Sequence, residues 1–140
     1  MTREYNNLSL IHCLITSNVK EGNTYFCVNT PDLTFIRDIY VYFEGRRFKH
    51  AIPSNISLLY NMYLSHPKKF LISSSVETEC VNITLLFHIG EKSYKFIFEY
   101  KGESLSIHKH LFCRTFDKEE TKYVCGLLVK GLMNFFKDKV

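Results

Sequence analysis

The sequence predicts a single α+β domain spanning residues 1–140, in which an antiparallel sheet of about five or six strands is covered by two helices. Three observations support this class. Strand-like segments separated by turn residues recur along the chain, a strongly apolar helical segment ends it, and no linker, repeat or low-complexity stretch divides it. With 46% hydrophobic residues, a chain of this length can bury one core.

The first part of the chain is predicted to form strands. Residues 8–16 alternate between apolar and polar, residues 25–28 form a second short run, and the polar turn between them predicts a hairpin. After a break at Pro31, the aromatic and β-branched residues of segment 33–45 predict further β structure, which ends at a Glu-Gly turn.

A helix is predicted over residues 56–65, because apolar side chains recur there at helical spacing after Pro53 and Ser54. Pro67 ends it, since the residue before a proline is pushed out of the helical region. The rest of the chain up to residue 116 returns to strand patterns separated by tight turns. These strands are predicted at residues 70–76, 81–89, 93–100, 104–109 and 111–116, and the pair joined by the turn at Gly90 is the clearest hairpin.

The final helix, predicted over residues 117–139, is the most strongly indicated element. Asp117 and Glu120 have the spacing of a capping box, and acidic residues precede basic ones along the helix, as its dipole favours. Apolar residues cover most of its circumference, which predicts a helix lying on a large hydrophobic surface. The alternative interpretation is that part of this wide apolar face serves self-association or membrane contact.

Composition limits the location and chemistry of the protein. The formal charge of +4 and a pI near 8.8 suit contact with phosphates without requiring it. We expect neither a signal peptide nor a membrane span, and therefore a cytosolic or nuclear protein, or one peripheral to a membrane. The odd number of irregularly spaced cysteines predicts reduced thiols at Cys13, Cys27, Cys80, Cys113 and Cys125.

No pattern in the sequence predicts catalysis or a cofactor. The six histidines form no recognisable constellation with a nucleophile and an acid, and glycine-rich phosphate loops are missing. His108 and His110 would share one face of a strand near Cys113, but a fourth metal ligand is not identifiable. We therefore expect a protein that is not an enzyme and holds no metal or cofactor.

Basic residues supply the candidate binding site. They bracket the predicted second helix and surround the clearest hairpin, and two phenylalanines among them are suited to stack on a base or enter a lipid interface. A purely solvated face is the alternative for such clusters. The candidate phosphate-binding or lipid-binding residues are Arg46, Arg47, Lys49, Lys68, Lys69, Lys92, Lys95 and Lys101, with Phe48 and Phe70 as apolar anchors.

Two stretches resemble matrix proteins of non-segmented negative-strand RNA viruses. Residues 81–136 resemble the C-terminal half of the bornavirus matrix protein, in which paired strands end in a Ser-Leu-Ser segment, here residues 104–106, before a short aromatic strand and a capped helix. The order of elements from residue 43 is similar to that of rhabdovirus matrix proteins. It consists of FEGRRFKHAIP, a helix, HPKKF and then VNITLLF. The basic, proline-rich tail and Pro-Pro-x-Tyr motif of rhabdoviruses are missing, so the chain is closer to the bornavirus type.

The resemblance implies a structural function. Such a protein forms homo-oligomers, binds anionic membrane through basic patches, contacts the viral nucleocapsid or RNA, and promotes assembly and budding, with no small-molecule substrate. It would lie on the inner face of the virion envelope, and in the host on the cytoplasmic face of membranes and in the cytoplasm. The basic residues named above would meet the phosphates of lipid or RNA.

Two other non-enzymatic functions suit the same elements. One is a lipid-headgroup-binding or peptide-binding module of the pleckstrin type, and the other is a viral accessory protein that engages a host factor. The number of helices separates the first of these from a matrix protein. A single terminal helix favours the pleckstrin type, whereas a helix over residues 56–65 favours the matrix arrangement.

Overall fold

Three helices and an open antiparallel sheet form the fold of the computed structural model. It describes the backbone of residues 23–28, 33–46, 51–65, 67, 69–77 and 80–137, and the side chains of 33–46, 51–65, 67 and 80–131. The elements in chain order are β1 (Asn23–Val28), α1 (Thr34–Gly45), α2 (Ser54–Leu64), β2 (Lys69–Glu77), β3 (Cys80–Ile89), β4 (Lys92–Lys101), β5 (Ser104–Lys109), β6 (Phe112–Thr115) and α3 (Lys118–Lys137).

The strands are ordered in the sheet as they are in the chain, and every neighbouring pair is antiparallel. The predicted α+β class is confirmed. The predicted set of five or six strands and two helices is not matched, because three helices occur in the described residues. Four strands, β3 to β6, form the part of the sheet with described side chains, and β1 and β2 extend it by backbone pairing.

One face of the sheet is buried under the helices. Side chains alternate along each strand, so inward positions pair with inward positions, as in Ile83 with Phe98 and Phe98 with Ile107. These three residues are almost completely buried, together with Leu85, Phe87 and Phe96. We call this the covered face. None of the described helices lies on the opposite face, which we call the open face.

Helix α1 corrects the predicted β structure of residues 33–45. Its buried residues are Phe35, Ile36, Ile39 and Phe43, a spacing that fits one side of a helix. A strand would instead have placed Arg37 on the same face as Phe35 and Phe43. Burial of the apolar stripe therefore outweighs the β propensity of the individual residues.

Helix α2 confirms the predicted helix at residues 56–65, although it begins at Ser54 and ends at Leu64. It packs across β5 and β6. The amide of Asn55, which is buried, donates a hydrogen bond from Nδ2 to the carbonyl oxygen of Ile107 over 3.1 Å. This bond satisfies the one polar group that the first turn of α2 brings against the sheet.

Helix α3 confirms the predicted final helix and its capping box. The amide of Glu120 donates to Oδ1 of Asp117 over 2.7 Å, and the amide of Asp117 donates to Oε1 of Glu120 over 2.8 Å. Phe116, just before the helix, donates from its amide to the carbonyl of Leu105 over 2.8 Å, which fixes the start of α3 beside the start of β5. The helix then crosses α1, where Gly131 lies against Phe35.

The predicted strands of the second half are confirmed as β2 to β6, with ends that shift by one residue at most. The predicted strand at residues 25–28 is part of β1, which pairs with β2. The predicted strand at residues 8–16, and its hairpin with β1, lie outside the described residues. In the described part of the chain, no helix has both the length and the hydrophobicity that a membrane crossing requires.

Candidate functional site

Arg46, the first of the predicted binding residues, lies in a cluster of ion pairs at the end of α1. Its guanidinium nitrogens lie 3.3 Å from Glu120 and 3.6 Å from both Asp117 and Glu119, and its side chain is 16% exposed. It also donates to the hydroxyl of Tyr42 over 3.1 Å. We call these five residues the Arg46 cluster.

The Arg46 cluster joins α1 to the first turn of α3. Glu120, at its centre, is 1% exposed and also receives Arg114 at 3.5 Å. Burial raises the pKa of the Tyr42 hydroxyl, and the positive charge of Arg46 offsets part of that rise. Since three carboxylates surround Arg46, its charge is already compensated within the protein. The geometry therefore gives Arg46 a role in stability.

Several other predicted residues are not described in full. Arg47, Phe48, Lys49 and Lys68 lie outside the described residues. The structure places the backbones of Lys69 and Phe70 in β2 and leaves their side chains undescribed. Their roles as phosphate contacts and apolar anchors remain predictions.

The three remaining predicted lysines lie on strand β4 and are exposed. Strand alternation places Lys95 and Lys101 on the open face and Lys92 on the other side, at the end of the strand. Lys95 lines a cleft in the open face with a volume of about 390 Å³. We refer to it as the cleft. Its lining residues are Leu86, Ser93, Lys95, Ile97, His108 and His110.

Strands β3, β4 and β5 build the cleft through their register. Ile97 of β4 pairs with His108 of β5, and continuing this antiparallel register brings His110 beside Lys95. One further contact orients the hydroxyl of Ser93. Oγ of Ser93 lies 3.0 Å from Nδ1 of His88. The cleft thus combines a lysine, two imidazoles and a hydroxyl above an apolar floor.

His108 has two neighbours on the open face. Its Nε2 lies 3.7 Å from Oε1 of Glu99 and 3.8 Å from Sγ of Cys113. In the described part of the chain, no group of three or more histidine, cysteine, aspartate or glutamate side chains is arranged to hold a metal ion. Cys125 is inside the core, where burial raises the pKa of its thiol to about 12 and keeps it protonated.

The turn between β5 and β6 lies beside the cleft and exposes two large apolar side chains. Leu111 is 98% exposed and Phe112 is 69% exposed. We call these two residues the tip. His110, which precedes them, has a φ of 53°, whereas the corresponding first loop positions of the two preceding hairpins are glycines, Gly90 and Gly102.

The sequence analysis named Lys95 as a candidate and did not connect it with the other polar residues of the cleft. Ser93 lies on the same strand, whereas His108 and His110 are thirteen and fifteen positions further along the chain and reach Lys95 through the strand register. The sequence carries a signal for the tip, because two apolar residues follow His110 where a tight turn joins two predicted strands. That position predicts exposure for a hairpin loop.

Comparisons of the chain with protein-family models, with curated proteins and with solved structures find no match. The candidate function consequently depends on the geometry of the cleft, the tip and the Arg46 cluster.

Proposed function

We propose that this chain is a structural protein of the matrix type, which binds the anionic surface of a membrane and self-associates there. The observation that carries the proposal is the tip, where Leu111 and Phe112 stand exposed beside the basic cleft. An apolar projection combined with a lysine at the same end of the sheet suits the boundary between lipid headgroups and acyl chains. Lys95, from the predicted set, supplies this positive charge from the open face, at the end of the sheet where the tip lies.

The expected strength of this contact is modest for a single copy. Transfer of one large apolar side chain out of water contributes about 1.5–3 kcal/mol, and one lysine near an anionic surface adds about 1 kcal/mol. Contacts of this size bind a membrane firmly only when several copies act together. Self-association is therefore part of the proposal, with the homo-oligomer as the binding unit.

The remaining roles in the proposal come from the resemblance to matrix proteins. The oligomer would contact the viral nucleocapsid or RNA on its other side and promote assembly and budding from the inner face of the envelope. Lys101, exposed at the end of β4 away from the tip, supplies positive charge toward such phosphate-bearing partners.

The helices support a matrix protein over a module of the pleckstrin type. The pleckstrin alternative requires a sheet closed by one terminal helix. Here α2 also lies on the sheet, where it covers β5 and β6, the hairpin that carries the tip, and α1 packs against both α2 and α3. A rigid support under a projecting hairpin is suited to repeated contact with a flat surface.

Vesicle co-sedimentation tests the proposal. We expect the double variant Leu111→Ser/Phe112→Ser to lose tenfold or more of its affinity for vesicles that contain phosphatidylserine, because two apolar side chains no longer enter the interface. The matched control is Val41→Ser/Leu64→Ser, which removes apolar side chains that are 54% and 48% exposed on the helices. Equal losses in the two variants would contradict the role of the tip.

A further inference from the structure

We propose that the cleft binds a single phosphate monoester, with Lys95, His108 and His110 as the donors. The inference deepens the proposed function by naming the headgroup chemistry at the membrane, and it rests on that function for the source of the phosphate. A lipid headgroup and a free phosphate share this chemistry, and the experiments below separate them.

The donors converge because of the sheet register. The side chain of Lys95 points out of the open face from β4, and β5 supplies His108 and His110 beside it. Described residues form no ion pair with Lys95. The carboxylate of Glu99 lies 3.7 Å from Nε2 of His108, on the side of the imidazole outside the cleft lining. A lysine and two imidazoles without a carboxylate among them form a site for an anion.

The backbone at His110 supports a role for this side chain. The three tight turns that join β3 to β6 each begin with a residue at positive φ, and in two of them that residue is glycine. His110 adopts the same conformation with a side chain present, which is unfavourable for most residues and less so for histidine than for bulky or β-branched ones. Strain of this kind is concentrated at functional sites. The presence of an imidazole where glycine would be more relaxed is consistent with a function for this side chain in the cleft.

The size of the cleft sets the class of ligand. About 390 Å³ is at the lower end of small-ligand sites and exceeds what one phosphate needs, so a ring-sized group attached to the phosphate also fits. Leu86 and Ile97 give this group an apolar floor. The tip would hold the cleft at the depth of lipid headgroups. A phosphorylated inositol headgroup matches both the charge and the size.

The first experiment titrates inorganic phosphate into the protein and follows the imidazole resonances by NMR. We expect saturable shifts at His108 and His110 and an affinity about tenfold lower in Lys95→Gln, since a charge-assisted hydrogen bond is lost. Lys122→Gln is the control, because Lys122 is an exposed lysine of α3 that lies outside the cleft and outside the predicted binding residues. Equal losses in both variants, or no saturable shift, would overturn the proposal.

The second experiment compares vesicles with phosphatidylinositol 4-phosphate and vesicles with phosphatidylserine at the same surface charge. Several-fold tighter binding to the phosphomonoester lipid, lost in Lys95→Gln, supports the cleft. Equal binding to both vesicles overturns the cleft while leaving membrane association intact. Binding to neither, with the phosphate shifts retained, would overturn the membrane function and leave the cleft as a site for a free phosphate.

Discussion

The two faces of the sheet carry positive charge in opposite ways. On the covered face, Arg46 is enclosed by Asp117, Glu119 and Glu120, and its charge fastens α1 to α3. On the open face, Lys95 lies in a cleft with two histidines and no carboxylate among the lining residues. A charge that is neutralised inside the protein makes removal of either partner destabilising, whereas a lysine with no ion-pair partner among the described residues is available to a ligand.

The two sites also lie at opposite ends of the sheet. The Arg46 cluster is built around the start of α3, which follows β6 and is fixed to the start of β5 through Phe116 and Leu105. The tip is at the other end of β5 and β6. Substitutions at the two ends should therefore separate stability from binding.

The largest expected effect is that of Arg46→Ala. It leaves the buried carboxylate of Glu120 with Arg114 at 3.5 Å as its remaining cation in the described structure. We expect the free energy of unfolding to fall by about 2–4 kcal/mol, as measured by urea denaturation. Arg37→Ala, on the same helix, is the control, because its side chain is 53% exposed and should change stability by less than about 0.5 kcal/mol.

Arg46→Ala also tests the contrast between the two faces. The folded fraction of the variant should bind anionic vesicles as the natural sequence does. A loss of vesicle binding without a loss of stability would place the membrane contact at the Arg46 cluster.

A second prediction concerns the packing of α3 against α1. An added Cβ at Gly131 would lie 2.7 Å from Cγ of Phe35, whereas at Gly126, which is exposed on the same helix, it would meet nothing within 4 Å. We expect Gly131→Ala to lower the free energy of unfolding by about 1–3 kcal/mol. Gly126→Ala should raise it by about 0.5–1 kcal/mol. Equal changes in the two midpoints of thermal unfolding would show that α3 is not held closely against α1.

The smallest expected effect is that of His110→Gly on the open face. Glycine accepts the positive φ of this turn, so stability should stay the same or rise by up to about 1 kcal/mol. Phosphate affinity should nevertheless fall several-fold, because the cleft loses an imidazole. A variant that is both less stable and unchanged in phosphate affinity would assign His110 a structural role.

The sequence predicted the fold class and most elements, for identifiable reasons. The capping box of Asp117 and Glu120 and the turn at Gly90 are local signals, so α3 and the β3–β4 hairpin were found. Helix α1 was missed because its β-branched and aromatic residues favour a strand individually. The helix is indicated only by the helical spacing of the residues that are buried.

The site was harder to predict than the fold. A run of basic residues pointed to Arg46, yet its carboxylate partners are more than seventy positions away in the sequence. Lys95 was one of the predicted basic residues, and the two histidines that line the cleft with it come from the strand β5 and the turn after it. Both outcomes depend on non-local contacts, which periodicity does not report.

Membrane contact by the tip is tested most directly with a single tryptophan, since the chain has none. We would prepare Phe112→Trp at the tip and Tyr123→Trp, a position 51% exposed and stacked on Tyr42 near the Arg46 cluster. Fluorescence quenching by brominated anionic lipids then reports which indole enters the bilayer. We predict strong quenching and a blue shift for Phe112→Trp and neither for Tyr123→Trp, and the reverse result would contradict the assignment.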